Sequence, residues 1–226
     1  MPDGGQGPAR PAFSRGFTLI ELLVVIAIIG IIASMVVGLS GLAARKKRDA
    51  VVTAEKNRLI LFVSSYQSKM GFFPPDNAAN VNWPVGSSNY EQSTGLNPLI
   101  YELTGAPVVN GTTSFLAFNG ANGTTTISGS TLTAAYGRGG IANSLPDETR
   151  VFFQPLPSPK DYIMVNGLLQ LVVPVGLTGA PNEINLWHYD CSNPNRHNSS
   201  RFDLWAEYSA GSDKSGNPII ITNGNW

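Results

Sequence analysis

Glu21 stands between Ile20 and Leu22 in the stretch RGFTLIELLVVIAIIG, at the head of the most apolar run in the chain. Ionisable groups inside a bilayer are costly and rare, and those that occur are paired or face a wet position. Glu21 therefore either lies shallow or has a partner. A second cluster, His188, Asp190, Cys191 and His197, invites a zinc reading. Its spacing, H-x-D-C-x5-H, matches none of the standard zinc patterns. His188 alternates along NLWHYD, so it reads as a histidine on one face of a strand. A nucleophile at Cys191 paired with either histidine has no further support, because any chain with two histidines and a cysteine generates such pairs. The GRGG at Gly137 lacks the strand–helix setting of a phosphate loop. Trp83, Trp187, Trp205 and Trp226 could form a sugar-binding platform, but core packing is the expected role of such aromatics.

The elements that must position these residues follow from composition and periodicity. Lysine plus arginine and aspartate plus glutamate number 15 each, so net charge points to neither an acidic nor a basic partner, and no bound nucleic acid is expected. Charged residues make up only 13% of the chain, about half the usual share. With abundant Gly, Ser, Thr and Asn, this suits a polar, loop-rich exported domain better than a cytosolic enzyme. The single Cys191 rules out an intrachain disulfide.

From Leu22 to Ala44 there are 23 residues without a charge, enough for a helix to span a bilayer. The run is too long for the apolar part of an ordinary secretory signal, and Glu21 interrupts its start. Gly30, Ser34 and Gly38 recur every four residues, a spacing that puts small side chains on one face and lets another helix approach. Arg10 and Arg15 precede the run and RKKR (residues 45–48) follows it, so counting positive charges alone would place the C-terminal side in the cytoplasm. Beyond RKKR, Val52, Leu59, Phe62, Val63, Tyr66 and Met70 fall mostly at three- and four-residue steps. That is an amphipathic helix, ended by Gly71 and Pro74-Pro75.

The stretch SRGFTLIELLVVIAIIGIIASM resembles the processing motif of type IV prepilins and type II secretion pseudopilins. The resemblance implies that a prepilin peptidase cuts after Gly16 and removes residues 1–16 as a leader on the cytoplasmic face of the bacterial inner membrane. Phe17 is then the new N-terminal residue and is N-methylated. It implies a hydrophobic helix over 17–44 that is single-pass in membrane lipid before assembly and lies in the filament core afterwards. Residues 45–70 continue this helix in amphipathic form, and residues 71–226 make a β-rich domain in the periplasm, against the charge count. In the family, the glutamate equivalent to Glu21 meets the N-terminal amine of a neighbouring subunit. That amine is largely protonated at neutral pH and lies one helical turn from Glu21 in its own chain. Gly30 stands where these helices commonly have glycine, and Gly38 where many have proline.

The expected fold is therefore α+β and pilin-like: a long N-terminal helix packed on a small antiparallel β-sheet. DYIMVNGLLQLVV reads as a hairpin about a type I′ turn at Asn166-Gly167, and RFDLWAEYS and PIIITNGNW read as two further strands. Residues 105–160 are loosely patterned, with room for a weak hairpin or a large loop. YQSKMGFFPPD, STGLNPLIYEL, FDLWAEYSAGSD and NGNW resemble segments of major pseudopilins, whereas residues 106–176 match no known segment. Those pseudopilins bind calcium in the loop corresponding to Gly211–Asn223. Asp213 matches their aspartate, but Thr222 occupies the second acidic position, so calcium has one carboxylate, aided at most by Asn217, Asn223 and carbonyls. The function implied is a pseudopilin of a type II secretion-like system. It would form a homo-oligomeric filament with other pseudopilins on an inner-membrane assembly platform, and it is not an enzyme. A type IV pilus subunit for adhesion, motility or DNA uptake is the near alternative, and a membrane-anchored glycan- or ligand-binding module the distant one.

Overall fold

The computed structural model describes residues 16–77, 96–120, 123–178 and 184–226, with residues 36–40 described in backbone only. Most of the expected leader, Trp83 and the start of STGLNPLIYEL lie outside the described residues. The chain divides into two compact units, residues 1–44 and residues 45–226. A single helix, α1 (Leu19–Met70), contributes to both.

In the first unit no described residue covers the helix. Every described side chain from Phe17 to Met35 is exposed, including Ile20, Leu23, Ile28 and Ile32. Among the described residues no stretch of helix is both long and apolar enough to cross a membrane. The uncharged run itself passes through residues 36–40.

In the second unit α1 behaves as its periodicity predicts. Val52, Leu59, Val63 and Tyr66 are fully buried, and Phe62 and Met70 pack partly against the same core. Gly71, at φ 83°, ends the helix in a left-handed conformation that glycine adopts without strain. Polar ties fix the helix in place. The Tyr208 hydroxyl donates to Asp49 at 2.5 Å, and the Lys56 ammonium donates to the Asn223 side chain and the Gly224 carbonyl.

The remaining elements are short. Helix α2 (Leu99–Thr104) is buried along its whole length. Strands β1 (Ser114–Phe118) and β2 (Thr124–Ser128) form an antiparallel hairpin that runs directly into α3 (Gly129–Tyr136). Ser128 caps α3 by accepting from the Thr131 amide at 3.1 Å, and Gly137 closes it at φ 66°. Gly137 is thus a helix stop.

The expected hairpin is present as β3 (Tyr162–Val165) and β4 (Leu168–Leu171). Asn166 and Gly167 both have positive φ, 50° and 80°, as a type I′ turn requires. Strands β5 (His188–Asp190), β6 (Asp203–Ser212) and β7 (Pro218–Gly224) form an antiparallel sheet with β6 in the middle. The α+β architecture is as expected. Its β part comprises three small antiparallel sheets among the described residues, where the sequence suggested one. The loosely patterned segment contains the β1–β2 hairpin and α3.

Candidate functional site

The processing and assembly residues sit at the start of α1. Among the described residues, chain neighbours aside, no heavy atom lies within 4 Å of where a Cβ on Gly16 would be. Phe17 is 81% exposed. One turn on, Glu21 has a partner that the sequence analysis did not name. Its Oε2 accepts from the Thr18 amide at 2.9 Å and from the Thr18 hydroxyl at 2.7 Å, while the Glu21 amide donates back to Thr18 Oγ1 at 3.3 Å. This is a capping box, in which two orphan amides of the first turn are satisfied reciprocally. The signal was present in the sequence as Thr-x-x-Glu ahead of an apolar run. Oε2 is engaged in the cap, and the residue is exposed.

Further along the same unit, Gly30 also has open space where a Cβ would stand. The Ser34 hydroxyl turns back to donate to the Ile31 carbonyl at 2.7 Å, so its polarity is satisfied within the helix. Gly38 falls among the residues described in backbone only.

Asp213 lies in the exposed turn between β6 and β7. Its Oδ1 accepts from the Ser215 and Asn217 amides at 2.8 and 2.9 Å, and its Oδ2 accepts from the Asn217 side chain at 3.3 Å. Those donors, Asn217 foremost, hold the carboxyl below its ordinary range. Asn223 is turned to α1, where its amide donates to Thr53 and its oxygen accepts from Lys56. Calcium takes six to eight oxygens, usually with several carboxylates. One carboxylate engaged by its own turn, with Asn223 directed elsewhere, does not fit that requirement.

The histidine–cysteine cluster is dispersed. His188 is on β5, stacked on Trp205 at 4.9 Å, and burial of its ring holds its pKa down to about 3. His197 faces Asp203 at 3.2 Å and stacks on Trp226 at 4.0 Å. Trp205 meets Trp226 edge to face, so two indoles stand between the two imidazoles. Cys191 donates to the Pro74 carbonyl, and burial pushes its thiol up to about 12, the opposite of an activated thiolate. Among the described residues no three His, Cys, Asp or Glu side chains come together to hold a metal. Of the tryptophans described, Trp187 is a core residue, whereas Trp226 is 48% exposed. Trp226 also lies over Gly224, where a Cβ would meet the indole at 2.6 Å.

Sequence reasoning also missed the buried acids that hold the second unit together. Glu102 on α2 accepts from the Tyr66 hydroxyl and from the amides of Ala142 and Asn143, at 2.8 to 3.0 Å. Asp76 accepts from the amides of Cys191 and Ser192, each at 2.8 Å, and faces Arg138 at 3.4 Å. Neither acid has a local signature, since all their donors are distant in sequence.

Comparison with known proteins places the first unit. Residues 12–37 match the family model described as the prokaryotic N-terminal methylation motif. Over 76 residues the chain is 42% identical to a protein of Thermus thermophilus named type IV wide pilus major component PilA4, covering 33% of this chain. The chain spans 57% of the length of that relative. No solved structure matches. In the motif, in its likeness to this relative and in its α+β fold with a long N-terminal helix, the chain is similar to type IV pilin-like proteins.

Proposed function

We propose that the chain is a structural filament subunit. It is made with a leader of residues 1–16, which a prepilin peptidase cuts after Gly16, and it is N-methylated at Phe17. Before assembly, residues 17–44 hold it in the bacterial inner membrane as a single-pass helix, with residues 45–70 and the domain of residues 71–226 in the periplasm. Its partners are copies of itself, related subunits and a membrane assembly platform, and its work is mechanical rather than catalytic. The observation that carries this reading is the uncovered helix that bears the methylation motif. Among the described residues its apolar side chains find no partner, and on this reading lipid covers them first and neighbouring helices afterwards.

Within that reading Glu21 has two duties. It caps its own helix through Thr18, and its exposed carboxylate receives the N-terminal amine of a neighbouring subunit. Removing the leader supplies that cation. Its attraction to the carboxylate then sets the register between copies. Gly30, Ser34 and Gly38 form the face along which helices approach.

The C-terminal resemblance favours a pseudopilin of a type II secretion-like system. The named relative, a pilus component, favours a surface pilus. The test is a producing strain carrying Gly16→Leu or Glu21→Gln. Mass spectrometry should find the native chain beginning at methylated Phe17 and the Gly16→Leu chain uncut. Electron microscopy should find filaments from the native chain and few or none from Glu21→Gln. Abundant filaments from Glu21→Gln would refute the pairing role, and long surface fibres against short periplasmic ones would separate pilus from pseudopilus.

A further inference from the structure

Directly after the uncharged run, Arg45, Lys46, Lys47 and Arg48 follow one another inside α1. At 3.6 residues per turn, four successive side chains are spread over about 300° of the helix circumference. They form a collar rather than a stripe, and a partner approaching one face could neutralise only part of it. Two members lie toward β6. Arg48 donates to the Ser209 carbonyl at 3.5 Å, and Arg45 is close enough to Tyr208 to pull its phenol pKa down against the effect of burial. Lys46 and Lys47 are exposed, and among the described residues neither makes a hydrogen bond or ion pair. The acids nearby are engaged. Asp49 accepts from Tyr208 and Asn223, and Glu55 is held by Arg58 at 3.1 Å.

We infer that this collar, Lys46 and Lys47 above all, binds the phosphates of anionic phospholipid headgroups in the leaflet where the uncharged run ends. The inference rests on the membrane-spanning reading of residues 17–44. On that reading Lys46 and Lys47 stand at the level where hydrocarbon gives way to headgroup phosphates, on the side of the helix left open by Arg45 and Arg48, which lie toward β6. The site also gives RKKR a use on the periplasmic side, where counting charges would not place it. Clustered basic residues beside a span are attracted to anionic lipid, and the attraction is weakened by salt.

The test uses the full chain reconstituted into phosphatidylcholine vesicles with a trace of spin-labelled phosphatidylglycerol, or of spin-labelled phosphatidylcholine for comparison. Electron paramagnetic resonance reads how strongly each lipid is held at the helix. The native chain should prefer phosphatidylglycerol. That preference should fall by about fivefold for each cation removed in Lys46→Gln and Lys46→Gln/Lys47→Gln, and it should weaken in concentrated salt. Equal association of the two lipids, or a preference unchanged in the double variant, would overturn the collar alone. A chain washed from the vesicles by alkaline carbonate would overturn the membrane-spanning reading and the collar with it. Displacement of the labelled lipid by a duplex DNA oligonucleotide at matched phosphate concentration would reassign the site to nucleic acid.

Discussion

Residues 17–44 and residues 45–226 dispose of apolar side chains in opposite ways, although one helix runs through both. Before the boundary Leu19, Ile20, Leu23 and Ile32 lie open on every side. After it, Val52, Leu59, Val63 and Tyr66 are buried in a core with the other elements of the unit. The second unit is specified by contacts the chain makes with itself. On the proposed reading, the first is specified by lipid and by neighbouring copies. Two glutamates carry the same contrast. Glu102 has no exposed surface to speak of and three donors from its own unit, whereas Glu21 is exposed and, among the described residues, bonded only to Thr18.

The contrast can be broken or sharpened by experiment, and the largest effect belongs to the self-contained unit. Glu102→Ala strands the Tyr66 hydroxyl, the buried Asn143 amide and the half-buried Ala142 amide, so the folded state should lose about 4 kcal/mol, at 1–3 kcal/mol for each stranded group less partial hydration. Urea unfolding of the full chain in mild detergent checks this, and a loss near zero would mean that Glu102 is not the keystone described.

Next is His188, whose ring lies on Trp205 with Nδ1 shut off from solvent. Its folded pKa is depressed from 6.5 to about 3. The neutral form is therefore the native one, and its stabilisation is complete above pH 6.5 and is lost as pH falls toward 3. Between pH 6.5 and 4.5 the native chain should lose about 1–2 kcal/mol more than His188→Phe, allowing for partial exposure of the residue. Parallel pH profiles for the two proteins would show that the histidine is not buried neutral.

In the first unit the sign of the comparison reverses. Glu21→Gln keeps an acceptor for Thr18 but removes the charge. Unfolding of the second unit should be unchanged, while filament yield drops at least about tenfold, the equivalent of one lost charge-assisted contact. Smallest of all is Thr18→Ala, which breaks the capping box and spares the carboxylate. Circular dichroism should register fraying of the first turn worth about 1 kcal/mol, with filament yield within about twofold of native. Should Thr18→Ala abolish filaments as Glu21→Gln does, the cap and not the charge would be the important part.

What could be read from the sequence depended on whether the determining contacts were local. The stripe from Val52 to Tyr66 and the Asn166-Gly167 turn are periodic or conformational signals, and both appear where expected. Helices α2 and α3 are too short for periodicity to mark them, and packing stabilises them more than propensity does. For α3 the caps were legible, Ser128 at one end and Gly137 at the other. Thr18 was legible by the same logic. The division of the β part into three sheets, and the donors gathered on Glu102 and Asp76, depend on contacts between distant segments that no local pattern announces. Asp213 is the opposite lesson. Its carboxylate is taken up by its own turn, and Asn223, which the sequence offers as a further oxygen for calcium, is tied to α1.

The ties from α1 to β6 and β7 join residues far apart in synthesis: Asp49 and Tyr208 are 159 positions apart, Lys56 and Asn223 167. At about 5–20 residues per second the partner strands follow the helix out of the ribosome by roughly 8–30 s. Throughout that interval the stripe of Val52, Leu59, Val63 and Tyr66 has been made and its closing strands have not. Two chains growing side by side would present the same bare surface to each other. The pace of translation and the spacing of ribosomes thus bear on this molecule's yield as directly as any contact in its finished core.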